Sequence, residues 1–239
     1  MSNKPILLVS GGLDSYITWH YLNKPTIIFV NYGQPYFDIE KAAVYKLYDN
    51  IQEININGLG SLKEIYVPAR NLMLASLALR HSNIIALGGV KDEKCRDKSP
   101  KAFKIMSTVL SMFNKKEVTV FSPIWHLTKS QAVKWYIEQD LDVSILHSTV
   151  SCYSTGLNQE PCNDCESCFR RFVSLAVNGV INENRLPTER IIKSYIKRLR
   201  LQPYNRDKEI IQALKSINEP IHIDNKTVNY KGVTGTLKS

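Results

Sequence analysis

Two hydrophobic patterns alternate along the first 140 residues of the chain. Short apolar and β-branched runs are separated by longer stretches in which apolar residues recur at helical spacing, an alternation typical of β-α-β units around a parallel sheet. The runs contain almost no polar residue, so we expect strands that are covered on both faces. We predict an α/β fold, a parallel sheet with helices on both sides. The predicted strands lie at 5–10, 26–31, 51–56, 84–88 and 118–121, and the predicted helices near 14–22, 38–49, 70–81, 100–113 and 128–139.

The pattern changes at about residue 150, where cysteine, glycine, asparagine and proline become frequent. With 239 residues, 44% of them hydrophobic and 22% charged, the chain can form one sizeable core and a small appendage. We therefore divide it into a Rossmann-like domain (1–150), a four-cysteine segment (151–180) and a basic helical C-terminal extension (181–239).

The C-terminal extension carries most of the positive charge. The formal charge is +9, and residues 185–215 hold nine Lys or Arg against three Asp or Glu. Residues 188–201 place their apolar side chains on one helical face and 207–217 repeat that pattern, so a packed helix with a solvated face is the expected structure. The same charge could instead hold a nucleic acid, an anionic substrate or a second subunit. Residues 218–239 are polar and turn-rich, and predict no more than a short hairpin or a loose terminus.

No segment indicates export or membrane insertion. Met1 is followed by Ser-Asn-Lys-Pro and a short apolar strand rather than by a secretory h-region, and no apolar run approaches membrane-spanning length. We expect a cytoplasmic protein.

A glycine-rich turn joins the first predicted strand to the first predicted helix. Two adjacent glycines let the backbone approach an anion closely, and a helix beginning at Asp14 or Ser15 would direct its first N–H groups toward that anion. Asp14 could hold a magnesium ion or cap the helix. The alternative is a strand-to-helix turn that simply needs glycines. The candidate phosphate-binding residues are Ser10, Gly11, Gly12, Leu13, Asp14 and Ser15.

This turn is not a Walker loop, because G-x-x-x-x-G-K-[ST] occurs nowhere in the sequence. The pattern S-G-G-x-D-S instead resembles the pyrophosphate loop of the N-type ATP pyrophosphatases. That resemblance implies cleavage of ATP between its α and β phosphates, with adenylation of a substrate.

Four of the five cysteines lie within seventeen residues, in the pattern C-x9-C-x2-C-x2-C. Four thiolates can surround one ion tetrahedrally, and zinc fits this ligand set best, although an iron–sulfur cluster uses the same ligands. Four scattered buried thiols are the alternative. Nothing indicates a catalytic zinc with an open position, so we predict one structural Zn2+ per chain. The predicted ligands are Cys152, Cys162, Cys165 and Cys168.

Four further segments combine with the turn and the cysteines. Together, and in this order, they resemble the 7-cyano-7-deazaguanine synthase family over about residues 4–175. The segments are Tyr32-Gly33-Gln34, Val67-Pro68-Ala69-Arg70-Asn71-Leu72, Ser122-Pro123-Ile124-Trp125-His126-Leu127-Thr128-Lys129 and Ser151-Cys152-Tyr153, the last of which leads to Cys168-Phe169-Arg170-Arg171.

The resemblance implies an ATP-dependent carbon–nitrogen ligase that acts on 7-carboxy-7-deazaguanine in queuosine-type biosynthesis. Members adenylate the carboxylate, let ammonia displace AMP to form the amide, and use ATP again to dehydrate the amide to the nitrile. ATP is expected to bind with Mg2+, nucleic acid is a possible but not a required partner, and a symmetric homodimer is expected because many enzymes of this size form one.

The resemblance also implies roles for individual residues. Asp14, Arg70, Asn71 and Lys129 are the candidate catalytic residues, and Tyr32 and Gln34 lie where the family closes over nucleotide or base. Alternatives remain for each: Arg70 might cover apolar surface with its stem, Asn71 might cap a helix, Lys129 might be a solvated first-turn lysine, and Tyr32 might anchor a turn.

The segment 89–97, Gly-Val-Lys-Asp-Glu-Lys-Cys-Arg-Asp, departs from the family pattern. The family carries a longer loop with a Gly-Tyr-x-Asp-Cys-Arg type signature, of which only Cys95 and Arg96 match here. A variant that stops at 7-amido-7-deazaguanine is therefore an alternative. Two others are a tRNA-modifying pyrophosphatase that adenylates a base for thiolation, and a nucleic-acid-binding zinc module on a spent scaffold.

Overall fold

The first half of the chain forms a five-stranded parallel sheet with five helices. The computed structural model describes residues 4–56, 67–93, 95–152, 161–200, 206–224 and 226–237, so Lys94, Tyr153 and Leu201, all within segments discussed above, lie outside the described residues. The predicted α/β architecture is confirmed. The strands are β1 (Ile6–Val9), β2 (Thr26–Asn31), β3 (Gln52–Asn55), β4 (Ile84–Leu87) and β5 (Thr119–Phe121), and the helices are α1 (Leu13–Tyr21), α2 (Phe37–Leu47), α3 (Arg70–Ala78), α4 (Pro100–Met112) and α5 (Lys129–Glu138).

The strand order, β3-β2-β1-β4-β5, reverses direction between β1 and β4. Leu8 of β1 pairs in parallel with Ile28 of β2 on one side and with Leu87 of β4 on the other. Ligands of such sheets bind beyond the carboxyl ends of the strands at this reversal. The turn after β1 therefore lies at the position that the topology favours for a ligand.

Helices cover both faces of the sheet because the buried strand residues alternate between two apolar clusters. Leu7 and Val9 pack into a cluster with side chains of α1, α2 and α5. Ile6 and Leu8 pack on the opposite face with side chains of α3 and α4. This two-sided burial explains why the strands read as continuous apolar runs.

A third apolar cluster lies in the C-terminal part of the chain. It joins Phe169, Phe172 and Val173 of α6 to buried residues of α7, α8 and β7. Cys168 and Leu175, also on α6, pack into the first cluster, so this helix buries two faces. The elements are α6 (Glu166–Ala176), α7 (Glu189–Lys197), α8 (Arg206–Lys215), β6 (Ile221–Asp224), β7 (Thr227–Tyr230) and β8 (Val233–Thr236), with short 3-10 helices at Val143–Ser148 and Glu183–Arg185.

The chain ends in a three-stranded antiparallel sheet, where the sequence predicts no more than a short hairpin. Each strand has four residues, and on β7 only Val228 and Tyr230 are buried, so the apolar signal is too short to read. Gly235 of β8 lies directly against the end of α7, because a Cβ at this position would collide with the carbonyl oxygen of Ile196. The extension is therefore helical as far as Lys215 and ends in a sheet.

Many basic residues of the extension have acidic partners within the fold. Arg190 pairs with Asp164 at 2.5 Å, and Arg198 pairs with Glu166 at 2.6 Å. Glu189 receives both Lys193 and Lys231. The extension is thus a packed unit with a solvated, partly paired polar face. In the described residues, no helix combines the length and the apolar character needed to cross a membrane.

Candidate functional site

Two adjoining cavities lie at the carboxyl ends of β1, β2 and β4. The first, of about 570 Å3, has mostly polar and charged walls that include Asp14, Lys129 and Arg170. The second, of about 640 Å3, also has apolar walls, among them Val30 and Leu74. Five residues line both cavities, which are therefore parts of one cleft. They are Ser10, Ser15, Glu40, Gly88 and Lys98.

The glycine-rich turn directs the amino end of α1 toward the first cavity. The helix begins at Leu13 with Gly12 as its N-cap, slightly earlier than the sequence predicts. Its first backbone hydrogen bond runs from the Tyr16 amide to the Gly12 carbonyl, so the amides of Leu13, Asp14 and Ser15 have no acceptor within the helix. An anion here would meet these donors and the positive end of the helix. Ser10, Gly12, Leu13, Asp14 and Ser15 all line this cavity.

Two glycines are required by close packing around the turn. Gly11 has a φ of +63°, and a Cβ on it would lie 2.8 Å from the Cβ of Ala43. It faces α2 and is not among the described residues that line either cavity. Gly88, at the end of β4, touches α1: a Cβ there would lie 2.8 Å from both the Cα and the backbone nitrogen of Ser15. These glycines hold the turn against its two neighbouring elements.

Asp14 and Lys129 form a buried ion pair in the first cavity. The Lys129 ammonium contacts both carboxylate oxygens of Asp14, and only 9% of the Lys129 side chain and 12% of the Asp14 side chain are exposed. Burial by itself would raise the pKa of the Asp14 carboxyl, but Lys129 and then Lys98 outweigh burial, and the pKa lies below its ordinary value. Asp14 therefore does not cap α1, and Lys129 is not a solvated first-turn lysine.

The backbone at the start of α5 is fixed by two sets of contacts. Thr128 and Gln131 form a capping box, in which each side chain accepts a hydrogen bond from the other residue's amide. The Lys129 amide donates to Asp92 Oδ1 at 3.1 Å, and the Asp92 carboxylate also pairs with Arg206 of α8. Asp92 and Arg206 are both buried. The C-terminal extension therefore contributes to the shell that positions Lys129.

Arg70 and Asn71 line the second cavity at the start of α3. An Arg70 Nη1 group donates to Tyr36 Oη at 3.4 Å. Asn71 is buried and donates to the Asp97 carbonyl at 3.4 Å, while the N-cap position belongs to Ala69 in a left-handed conformation. Asn71 is therefore not a helix cap and instead ties α3 to the loop that follows β4.

Tyr32 and Gln34 line the same cavity and are both buried. The hydroxyl of Tyr32 lies 3.0 Å from that of Tyr36, and burial, followed by Tyr36, raises the pKa of Tyr32. Gln34 accepts from the Tyr32 amide at 2.9 Å and donates to the carbonyl of Val30 at 3.2 Å and to Glu40 Oε2 at 3.1 Å. These internal bonds give the wall of the cavity a defined shape.

Four charged residues of the cleft were missed by the sequence analysis. Lys98 and Glu93 come from the loop after β4 and form an ion pair at 3.1 Å. Arg170 belongs to α6 and Glu40 to α2. Arg170 had a signal, because it lies two residues after the last cysteine of the cluster. Glu40 had none, since a carboxylate in a helix is most often on a solvated face.

The four cysteine sulfurs lie within 4.8 Å of one another. Zinc holds thiolates at about 2.3 Å in a tetrahedron, which puts sulfurs about 3.8 Å apart, so this arrangement fits the ion. The 3.5 Å between the sulfurs of Cys152 and Cys162 is too long for a disulfide. Hydrogen bonds from Cys152 and Cys168 hold the pKa of Cys165 below its usual range. The predicted set of four is thus brought together and can hold a metal ion.

Comparison with known proteins gives a consistent result. The family described as queuosine biosynthesis protein QueC matches residues 37–179. The chain is similar to 7-cyano-7-deazaguanine synthase of Syntrophotalea carbinolica, with 27% identity over 75% of this chain and 95% of that protein. The same enzyme of Psychromonas ingrahamii is 27% identical over 75% of this chain and 96% of that protein. For Methanococcus maripaludis the figures are 24%, 78% and 100%.

One solved structure also aligns with the chain. It is described as a predicted subunit of tRNA methyltransferase from Methanocaldococcus jannaschii. The TM-score is 0.37 at 14% identity, over 56% of this chain and 74% of that one, and this likeness is too distant to support an inference.

Proposed function

The chain belongs to the QueC family of queuosine biosynthesis proteins, and on that premise we propose that it is an ATP-dependent carbon–nitrogen ligase acting on 7-carboxy-7-deazaguanine. The carboxylate attacks the α-phosphate of ATP and releases pyrophosphate. Ammonia then displaces AMP to give the amide, and a second ATP activates the amide oxygen for loss as the nitrile forms. Activation is needed because a carboxylate by itself would have to expel oxide, whereas the acyl-adenylate expels AMP.

The observation that carries this proposal is the concentration of phosphate-binding groups in the first cavity. The amino end of α1 meets Lys129, Lys98 and Arg170 there. Departure of pyrophosphate develops negative charge, which preorganised amides and cations stabilise best in a site sheltered from water. We assign Ser10, Gly11, Gly12, Leu13, Asp14 and Ser15 to ATP, Gly11 through the shape that it gives the turn.

Asp14 is the carboxylate that we assign to magnesium. Magnesium prefers one or two carboxylates together with phosphate oxygens, and Asp14 lies at the amino end of α1 where the phosphates would bind. Its partner in the structure is Lys129. Binding of ATP with Mg2+ would replace one cation at Asp14 by another, and the ammonium of Lys129 would then neutralise phosphate.

We assign the second cavity to the nucleoside of ATP and to the acyl phosphate. Tyr32 and Gln34 form a buried wall of suitable shape, and Arg70 and Asn71 supply donors at its rim. Positioning accounts for much of the rate in such a transfer, since both reactants are held next to each other.

We assign one structural zinc to the four cysteines. The site lies between α6 and the segment that ends at Cys152, and all four thiols face one another. Such an arrangement leaves no cysteine to carry sulfur, which disfavours the thiolation alternative. The enzyme that stops at the amide stays a candidate because the loop after β4 departs from the family pattern.

The test is product analysis by mass spectrometry. Purified zinc-loaded protein is given 7-carboxy-7-deazaguanine, ammonium, magnesium and ATP, and carboxylate-dependent exchange of pyrophosphate into ATP is measured in parallel. Nitrile and AMP are the expected products. Accumulation of the amide alone identifies the shorter reaction, and a folded protein that binds ATP but shows neither exchange nor product contradicts the proposal.

A further inference from the structure

Three carboxylates line the first cavity, and only two of them have cationic partners in the described residues. Asp14 pairs with Lys129, and Glu93 pairs with Lys98. Glu40 accepts a hydrogen bond from the neutral amide of Gln34 at 3.1 Å. Glu40 is therefore the cavity carboxylate whose proton is not fixed by an ion pair.

Glu40 also lies at the junction of the cleft, since it lines both cavities. Burial raises the pKa of its carboxyl to about 7, although the Gln34 amide and the charges of Arg70 and Lys98 act in the opposite direction. The phenol of Tyr32 faces it as well, and the negative charge of Glu40 contributes to the raised pKa of that tyrosine. A carboxyl in these surroundings gains and loses a proton near neutral pH.

We infer that Glu40 is the general base of amination, the group that accepts a proton from ammonia as its nitrogen attacks the adenylated carboxylate. This inference rests on the proposed function, because that function supplies the acyl-adenylate and the ammonia. The position of Glu40 between the phosphate and nucleoside cavities places its carboxylate beside the point where the acyl phosphate would lie.

The step balances as follows. The nitrogen lone pair forms the C–N bond, one N–H proton passes to the Glu40 carboxylate, and the C–O bond to AMP breaks with its electron pair going to the phosphate oxygen. Amide, AMP and neutral Glu40 result. The attacking nitrogen becomes strongly acidic only as the C–N bond forms, so a base of pKa about 7 suffices to accept its proton.

Asp14 and Glu93 are less suited to this task. Lys129 holds the pKa of Asp14 below its ordinary value, which makes it a poor proton acceptor. Glu93 is held by Lys98 at 3.1 Å and lines only the first cavity.

The test separates adenylation from amination. In E40Q, pyrophosphate exchange that depends on the carboxylate should stay within threefold of the unsubstituted protein, while amide formation from the acyl-adenylate should fall by about 100-fold or more. D38N is the matched control, because Asp38 is exposed in the first turn of the same helix. Loss of exchange together with amination in E40Q, or normal rates of both, would overturn the inference.

The pH dependence provides a measurement that needs no variant. Single-turnover amination is followed at a fixed concentration of free ammonia, which is set by adjusting total ammonium at each pH. The rate should fall as pH drops below about 7, because protonated Glu40 cannot accept a proton, and E40Q should lack this limb. A flat profile in the unsubstituted protein would remove Glu40 from the step. If that protein shows no exchange at all, it is the ligase proposal that fails.

Discussion

Gly88 and Gly89 are neighbours at the end of β4, and only the first has the backbone of another element against it. A methyl group on Gly88 would lie 2.8 Å from the Cα and nitrogen of Ser15, whereas one on Gly89 would meet Trp125 at 3.6 Å, an ordinary contact. We expect G88A to destabilise the protein by about 1–3 kcal/mol and to weaken ATP binding, because α1 must shift away from β4. G89A is the control. Urea unfolding and ATP titration measure both effects, and equal behaviour of the two variants would contradict the packing described here.

Removal of the Lys129 ammonium should leave an uncompensated buried carboxylate. We expect K129M to lower the free energy of unfolding by about 3 kcal/mol in urea, and D14N/K129M to recover part of that loss, since the second substitution removes the stranded charge. Lys134 provides the comparison on the same helix: its side chain is 68% exposed in a 3.7 Å pair with Glu138, so K134M should change stability by less than about 1 kcal/mol. A double variant no more stable than K129M would argue against direct pairing of Asp14 and Lys129.

At this scale the sequence predicts residues whose type and position are both unusual. The glycines at 11 and 12, the serine and aspartate after them, and four closely spaced cysteines stand out from any solvated surface. Glu40 and Lys98 do not stand out, because Glu and Lys are common on exposed helices and loops. Their cleft positions depend on how α2 and the loop after β4 pack, which involves contacts distant in sequence.

Among the elements, α5 depends on a helix far along the chain. Its first amide donates to Asp92, and Asp92 is neutralised by Arg206 of α8. The sequence shows the periodic pattern of both helices, but not this link, since Asp92 lies in the segment that departs from the family pattern. Local pattern predicts that an element exists; it does not predict which buried charge the element will neutralise.

Loss of the Arg206 charge should affect both stability and adenylation. We expect R206M to lower the free energy of unfolding by about 3–5 kcal/mol, because Asp92 would be left buried without its cation. In the folded fraction, pyrophosphate exchange should also fall, because the amide of Lys129 loses a fixed acceptor. K208M, at an exposed position of the same helix, should leave both measurements unchanged. Should R206M match K208M in urea and in exchange, the buried pair would have no structural role.

For the molecule as a whole, the cysteine site lies where two apolar clusters meet. Cys152 and Cys168 pack into the cluster of the first sheet, and Phe169 begins the cluster of the extension. The sequence predicts the ligand set from spacing alone. It does not predict that α6 is shared, because a helix with two buried faces shows little of the polar-apolar contrast that marks a surface helix.

Replacement of one cysteine of the cluster should remove the metal. We expect the purified protein to contain one zinc per chain, and C165S to contain far less and to unfold at a lower temperature, because metal binding contributes directly to folding. C95S is the matched control, since Cys95 is exposed and lies outside the cluster. Elemental analysis and thermal unfolding measure the two quantities. Unchanged zinc in C165S would exclude the proposed ligation.

The two-sided packing of α6 also bears on the order in which the protein is made. All five strands of the parallel sheet have left the ribosome by residue 121, yet the outer face of α6 finds its partners only after α7 and α8 have been synthesised. Asp92 likewise waits for Arg206. A nascent chain stalled near residue 180 would expose Phe169, Phe172 and Val173 to its surroundings, and such surface promotes association with other chains. Translation of the last sixty residues is thus the interval in which this protein is most exposed to aggregation.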